Sequence, residues 1–129
     1  MKRRLPPIRS IACALWAGLA TTLVQAQTAS PMTPGAFETH VTGRTLTFVI
    51  DGVPYGIERY MTDRRVLWSF LDGHCAIGSW YPRQDAICFV YDTDPDDPQC
   101  WFVYLDDNGL RTVLADEPDS QPIYEAREG

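Results

Sequence analysis

The chain has 129 residues, with 17 acidic residues against 11 basic ones and a formal net charge of −6. Nucleic acids and anionic membrane surfaces are bound mainly through lysine and arginine, so this charge argues against both as partners. The length fits one domain with a modest core.

The N terminus has the three parts of a secretory signal peptide. Basic residues at positions 2, 3, 4 and 9 precede an apolar run over 11–24, and Val24 and Ala26 stand at the positions −3 and −1 of a cleavage site. The apolar run is shorter than the ~20 residues of a transmembrane helix. We predict that 1–26 is removed and that the protein is periplasmic or secreted. The remaining chain carries a charge of −10, from 7 basic and 17 acidic residues.

A short helix is predicted just after the leader. Residues 27–32 are interpreted as a linker, and TPGAFETHVTG predicts a helix over 33–42. Thr33 is placed as its N-cap, Pro34 at its first helical position and Gly43 as its stop.

From Thr45 the hydrophobic period changes to two, which is typical of strands. The segments are separated by Asp-Gly, Asn-Gly, proline or aspartate clusters, and such short connections join only antiparallel neighbours. The sequence therefore predicts an all-β domain over 33–114. Its seven predicted strands are 46–50, 55–61, 66–71, 75–81, 86–91, 100–105 and 110–114.

The predicted strands carry apolar residues on both faces. A flat sheet would then expose a large apolar surface and two open edges. We therefore expect an up-and-down meander closed as a small barrel. The helix would cap an opening or cover an edge. Residues 115–129 are acidic, contain two prolines and show no period, so we interpret them as a flexible tail.

Three cysteines follow the leader, at Cys75, Cys88 and Cys100. Structural zinc sites use close cysteine pairs, whereas the gaps here are 12 and 11 residues, so no metal site is predicted. A nucleophilic thiol needs an electropositive setting, and this region is rich in aspartate. We favour a Cys88–Cys100 disulfide between facing positions of consecutive strands, with Cys75 as a buried free thiol. Cys75–Cys88 and Cys75–Cys100 pairings remain alternatives.

The loop between the last two cysteines carries four aspartates. Asp92, Asp94 and Asp96 alternate as at the start of a calcium loop, but Asp97 stands where glycine is needed and Val103 where glutamate is needed. We therefore predict a solvated turn with neither metal nor cofactor. The same carboxylates are a possible partner-binding loop.

Aromatic side chains suggest a ligand-facing interior. The candidate residues are Glu58, Tyr60, Trp68, Trp80 and Trp101. Glu58 lies in mid-strand, and a surface position is favoured for it. The alternative is an inward-pointing Glu58 that pairs with an arginine, because a buried charge needs a partner.

The order of YGIERYMTDRRVLWSF, CAIGSW, ICFVY and CW resembles small exported bacterial proteins that are grouped as a domain of unknown function. The resemblance covers Gly43 to about Leu110. It implies export and supports the Cys88–Cys100 pairing, but it implies no activity and no catalytic residue.

The leading functional hypothesis is a monomeric, non-enzymatic module that binds an apolar small ligand or a partner protein. The alternative is an inhibitor or envelope interaction protein that uses the acidic loop 92–98 against a basic partner. No motif of the GxSxG kind predicts an enzyme.

Overall fold

The computed structural model describes residues 29–127, and the predicted signal peptide 1–26 lies outside them. The chain folds as an eight-stranded antiparallel barrel, which confirms the all-β class and the closure. Within the described part, no helix has the length and hydropathy to span a membrane. The elements are α1 Pro34–Val41, β1 Thr45–Ile50, β2 Val53–Tyr60, a 3-10 turn Thr62–Arg64, β3 Arg65–Ser69, β4 Cys75–Arg83, β5 Ala86–Tyr91, β6 Asp94–Asp106, β7 Gly109–Leu114 and β8 Ile123–Glu125.

Helix α1 begins and ends where the sequence predicts. The Thr33 side chain accepts a hydrogen bond from the Ala36 N–H at 3.2 Å, which satisfies one of the free donors of the first turn. Phe37 and Val41 are both buried. The Phe37 ring makes an edge contact with the Trp80 ring at a centroid distance of 5.0 Å, so α1 plugs one end of the barrel.

The barrel has one strand more than predicted, and this strand closes it. β8 pairs with β7 through Thr112 and Ile123, and with β1 through Phe48 and Glu125. The prediction of a flexible tail over 115–129 is therefore wrong for these residues. Without β8 the sheet would have open edges at β1 and β7, and the three-residue strand β8 joins these edges by pairing with two residues of each.

Alternate residues of the strands face the interior, as predicted. The buried core contains Leu46 and Phe48 of β1, Val66 of β3, and Ile87 and Phe89 of β5. An eight-stranded barrel is only just wide enough to be filled by its side chains. Any room left inside therefore depends on which residues point inward.

The predicted disulfide is present between Cys88 and Cys100, which face each other on β5 and β6 with a Cα–Cα distance of 3.9 Å. The two cysteines alternate with the inward-facing residues, and they pack with Ala86 on the outer face. Cys75 is a free thiol, but it is exposed, so the prediction of burial was wrong. Its neighbour Ala76 takes the inward position, which turns Cys75 outward.

Replacing both Cys88 and Cys100 by alanine is expected to lower the free energy of unfolding by about 3 kcal/mol, because the unfolded chain regains the freedom of the closed loop. Urea denaturation measures the change. Cys75→Ala is the matched control and should leave the midpoint unchanged. A double variant as stable as wild type would contradict a stabilising role for the disulfide.

Candidate functional site

The barrel encloses a cavity of about 180 Å³. Phe37 of α1 closes its inner end, and the exposed residues Tyr55, Phe70 and Thr93 stand at its mouth. A protein cavity of about 150 Å³ lined by apolar side chains holds a benzene molecule. This cavity therefore has the size of a ligand with a single six-membered ring.

Aromatic rings form most of the cavity wall. The Trp68 ring lies near the rings of Phe48, Tyr55 and Phe70, with centroid distances of 6.4, 5.7 and 6.2 Å. The Trp68 indole also crosses Gly56, where an added Cβ would collide with it. Glycine at this position thus allows the indole to lie flat against the strand.

Glu58 is the one carboxylate buried in this wall. It is 1% exposed, and its cross-strand neighbours are Leu46 on β1 and Trp68 on β3. The Tyr91 hydroxyl donates a hydrogen bond to Glu58 Oε1 at 2.9 Å. Glu58 Oε2 is also buried and has no hydrogen-bond partner among the described residues.

Burial raises the pKa of Glu58 from its ordinary value of 4.5 to about 8, and the hydrogen bond from Tyr91 only partly opposes this shift. The pKa values of Tyr91 and Tyr60 are also raised, first by burial and then by the charge of Glu58. Glu58 is therefore mainly protonated at neutral pH.

The predicted pairing of an inward Glu58 with an arginine is wrong, and so is the favoured surface position. Arg59 follows Glu58 in the strand and is exposed on the outer face. The partner of Glu58 is the Tyr91 hydroxyl and not an arginine. A neutral donor stabilises a buried carboxylate less than a guanidinium does. Glu58 is therefore protonated instead of charged.

Four of the five candidate ligand-facing residues line the cavity, namely Glu58, Tyr60, Trp68 and Trp101. Trp80 does not. It lies buried at the α1 end, where the Arg64 guanidinium stands 4.6 Å from its ring centroid.

Sequence reasoning misses three polar residues of the cavity wall, Tyr91, Gln99 and Thr112. The alternation of β5 places Tyr91 inward, but only the barrel geometry brings its hydroxyl to Glu58. Gln99 pairs with Phe89 next to a register shift between Phe89 and Tyr91 that the sequence does not reveal.

The acidic loop 92–98 borders the mouth of the cavity, but the prediction that it is all loop is wrong, because only residues 92–93 form the turn and residues 94–98 belong to the start of β6. Asp94 and Thr93 are part of the lining, and Asp92 Oδ1 accepts a hydrogen bond from the Ile77 N–H at 3.1 Å. Asp96 and Asp97 are exposed beside them. Across residues 29–127, no three His, Cys, Asp or Glu side chains are placed to hold a metal ion.

A second charged cluster lies at the α1 end, around Glu125 of β8. Arg44 and His40 approach its carboxylate at 3.0 and 3.2 Å, and the Leu110 N–H donates to it at 2.8 Å. Two surface hollows of about 520 and 350 Å³ adjoin this cluster, but they are shallow and open to solvent. Since Glu125 already has three partners, the cluster anchors β8.

Comparison with known proteins adds no further information. No family model matches the chain, and neither curated proteins nor solved structures match it. The resemblance to an exported domain-of-unknown-function family stays a prediction, so function is inferred from the cavity alone.

Glu58 is expected to make stability fall as the pH rises. Unfolded Glu58 ionises near 4.5 and folded Glu58 near 8, so the folded state holds the extra proton between these values. The free energy of unfolding should lose about 1.4 kcal/mol per pH unit from this group. The contribution is complete below the unfolded pKa and is lost as the pH passes the folded pKa.

Urea denaturation at several pH values between the two pKa values measures this slope. The Glu58→Gln variant should lack the contribution, whereas Glu117→Gln, on an exposed position, should keep it. Equal slopes for wild type and Glu58→Gln would contradict a buried, protonated Glu58.

Proposed function

We propose that this protein is an exported, non-enzymatic module that binds a small, largely apolar ligand inside its barrel. The supporting observation is the open, ring-sized cavity in which aromatic walls surround one buried carboxyl oxygen without a partner. Binding sites for small molecules combine apolar walls with a few placed polar groups in this way. The Cys88–Cys100 disulfide is typical of exported proteins and supports the proposed location.

The unpartnered oxygen of Glu58 favours ligand binding over a purely structural role. Leaving a buried polar atom without a hydrogen bond costs about 1–3 kcal/mol. A well-packed core would avoid this cost by placing an apolar residue at position 58. A ligand that contacts Oε2 removes the cost and fills the cavity, so binding stabilises the fold.

The chemistry of the cavity supports binding rather than catalysis. Its titratable groups, among the described residues that line it, are Glu58, Tyr55, Tyr60, Tyr91 and Asp94. The buried tyrosines have pKa values raised by burial, which leaves them protonated and poor as bases. Among the described lining residues there is neither a cysteine nor a histidine to serve as a nucleophile or its base, so Glu58, whose raised pKa would suit a general acid, has no nucleophile beside it.

Ring-sized probes are expected to bind saturably, to change tryptophan fluorescence through Trp68 and to raise the melting temperature. Suitable probes are toluene, benzyl alcohol, benzylamine and choline. Val103→Phe, inside the cavity, and Thr93→Trp, at its mouth, should weaken every interaction about tenfold or more because they occupy the ligand volume.

The matched control is Thr62→Trp, an exposed position at the α1 end, which should bind as wild type does. Circular dichroism verifies that each variant is folded. Failure of all four probes to bind, or unchanged binding by both cavity variants, would contradict the proposed function.

A second candidate function is supported by the exposed acidic loop. The register shift between Phe89 and Tyr91 leaves residues 95–98 projecting from the strand pair, with Asp96 and Asp97 open to solvent. An inhibitor or envelope interaction protein would use these charges against a basic surface.

An Asp96→Asn/Asp97→Asn variant distinguishes the two candidates. On the cavity proposal it should bind ring-sized probes within about twofold of wild type. Salt-sensitive binding of wild type to a basic protein such as cytochrome c, lost in this variant, would favour the second candidate instead.

A further inference from the structure

Among the described residues, the cavity lining contains two carboxyl groups and no basic side chain. Glu58 lies in the wall and Asp94 at the mouth, and neither lysine nor arginine is present among the described lining residues. Asp96 and Asp97 add exposed negative charge beside the mouth. A cleft bordered by one sign of charge attracts ligands of the opposite sign, so this opening disfavours anions and concentrates cations.

The aromatic wall is also suited to a cation. Tryptophan is the strongest aromatic partner for an ammonium ion, followed by tyrosine and phenylalanine. The Trp68 ring lies at the side of the cavity, with Tyr55 at 5.7 Å and Phe70 at 6.2 Å between centroids. An ammonium group that displaces water from this space would face several rings at once.

Glu58 Oε2 gives such a group a definite place. The residue is 1% exposed and lines the cavity, and Oε1 already accepts the Tyr91 hydroxyl, so Oε2 is the acceptor that has no partner among the described residues. A positive ligand beside Oε2 would neutralise the carboxylate without an arginine from the chain. Trp68 is the cross-strand neighbour of Glu58, which brings the carboxylate and the indole to the same part of the cavity.

We infer that the ligand is a small organic ammonium ion, held between the Trp68 ring and the Glu58 carboxylate. This inference rests on the proposed function and specifies the chemical class of its ligand. The cavity of about 180 Å³ limits the ion to the size of a single six-membered ring or a trimethylammonium group with a short arm.

Binding of the ion is coupled to the loss of a proton. The titratable groups that face Glu58 are Tyr91 on β5 and Tyr55 and Tyr60 on β2, with Asp94 at the mouth. Burial raises the pKa of Glu58 to about 8, so below that pH the cation must displace the carboxyl proton. Its affinity should therefore rise about tenfold per pH unit in the range well below 8, and level off above it.

Matched probes test the inference. Choline carries a permanent charge, and 3,3-dimethylbutan-1-ol is its neutral counterpart of the same shape. Benzylamine and benzyl alcohol form a second pair. Isothermal titration calorimetry of the folded protein measures each affinity, and choline is followed over several pH values because its own charge does not titrate.

Above pH 8, wild type should bind choline about tenfold or more tightly than the neutral alcohol. Below pH 8, its affinity for choline should rise with pH as predicted above. Titrations at neutral pH in two buffers of different ionisation enthalpy should show the release of a proton. This measurement needs no variant. Glu58→Gln should lose both the preference and the pH dependence, whereas Glu117→Gln should keep them.

The possible failures are distinct. Neutral probes that bind as tightly as the charged ones, or a choline preference that survives in Glu58→Gln, would overturn the inference and leave the proposed cavity function standing. Failure of both members of both pairs, and of toluene, to bind would overturn the proposed function as well.

Discussion

The hydrogen bonds that β8 makes on both of its sides hold the barrel closed. Ile123–Glu125 joins β7 to β1, and Glu125 is fixed there by Arg44, His40 and the Leu110 N–H. Without this strand the sheet would have two open edges, and water would reach the residues that now lie inside. The burial of Glu58 and the shape of the aromatic wall both depend on that closure.

Inside the closed barrel, one side chain departs from the rule that buried charges are paired. Among the described residues, the Tyr91 hydroxyl is the one hydrogen-bond partner of Glu58, and its second oxygen is buried without a partner. Burying this carboxyl group lowers the stability of the barrel, and the disulfide and the aromatic core offset part of that loss. An apolar residue at this position would make a more stable barrel, so the buried carboxyl group supports the proposed binding function.

The regular part of the fold follows from local patterns. Asp-Gly and Asn-Gly turns and the two-residue period predict the strands from β1 to β7, and facing positions predict the Cys88–Cys100 bond. β8 is missed because three residues among prolines and acids show no period, and only the free edges of β1 and β7 specify it. The sequence prediction places Glu58 on the wrong face. Alternation shows that a strand has two faces but not which one is inside, and a lone carboxylate favours the outer face. Trp80 points inward as predicted, but helix α1 packs against it at its end of the barrel, so it does not line the cavity.

The state of Glu58 tests the account most directly. The chemical shift of its side-chain carboxyl carbon, followed by NMR as the pH is raised, reports the ionisation of this one residue in the folded protein. The account predicts a midpoint well above the ordinary value of 4.5, at about 8. A midpoint near 4.5 would show that the carboxylate is hydrated or paired, and it would contradict the buried, unpartnered group on which the proposed site depends.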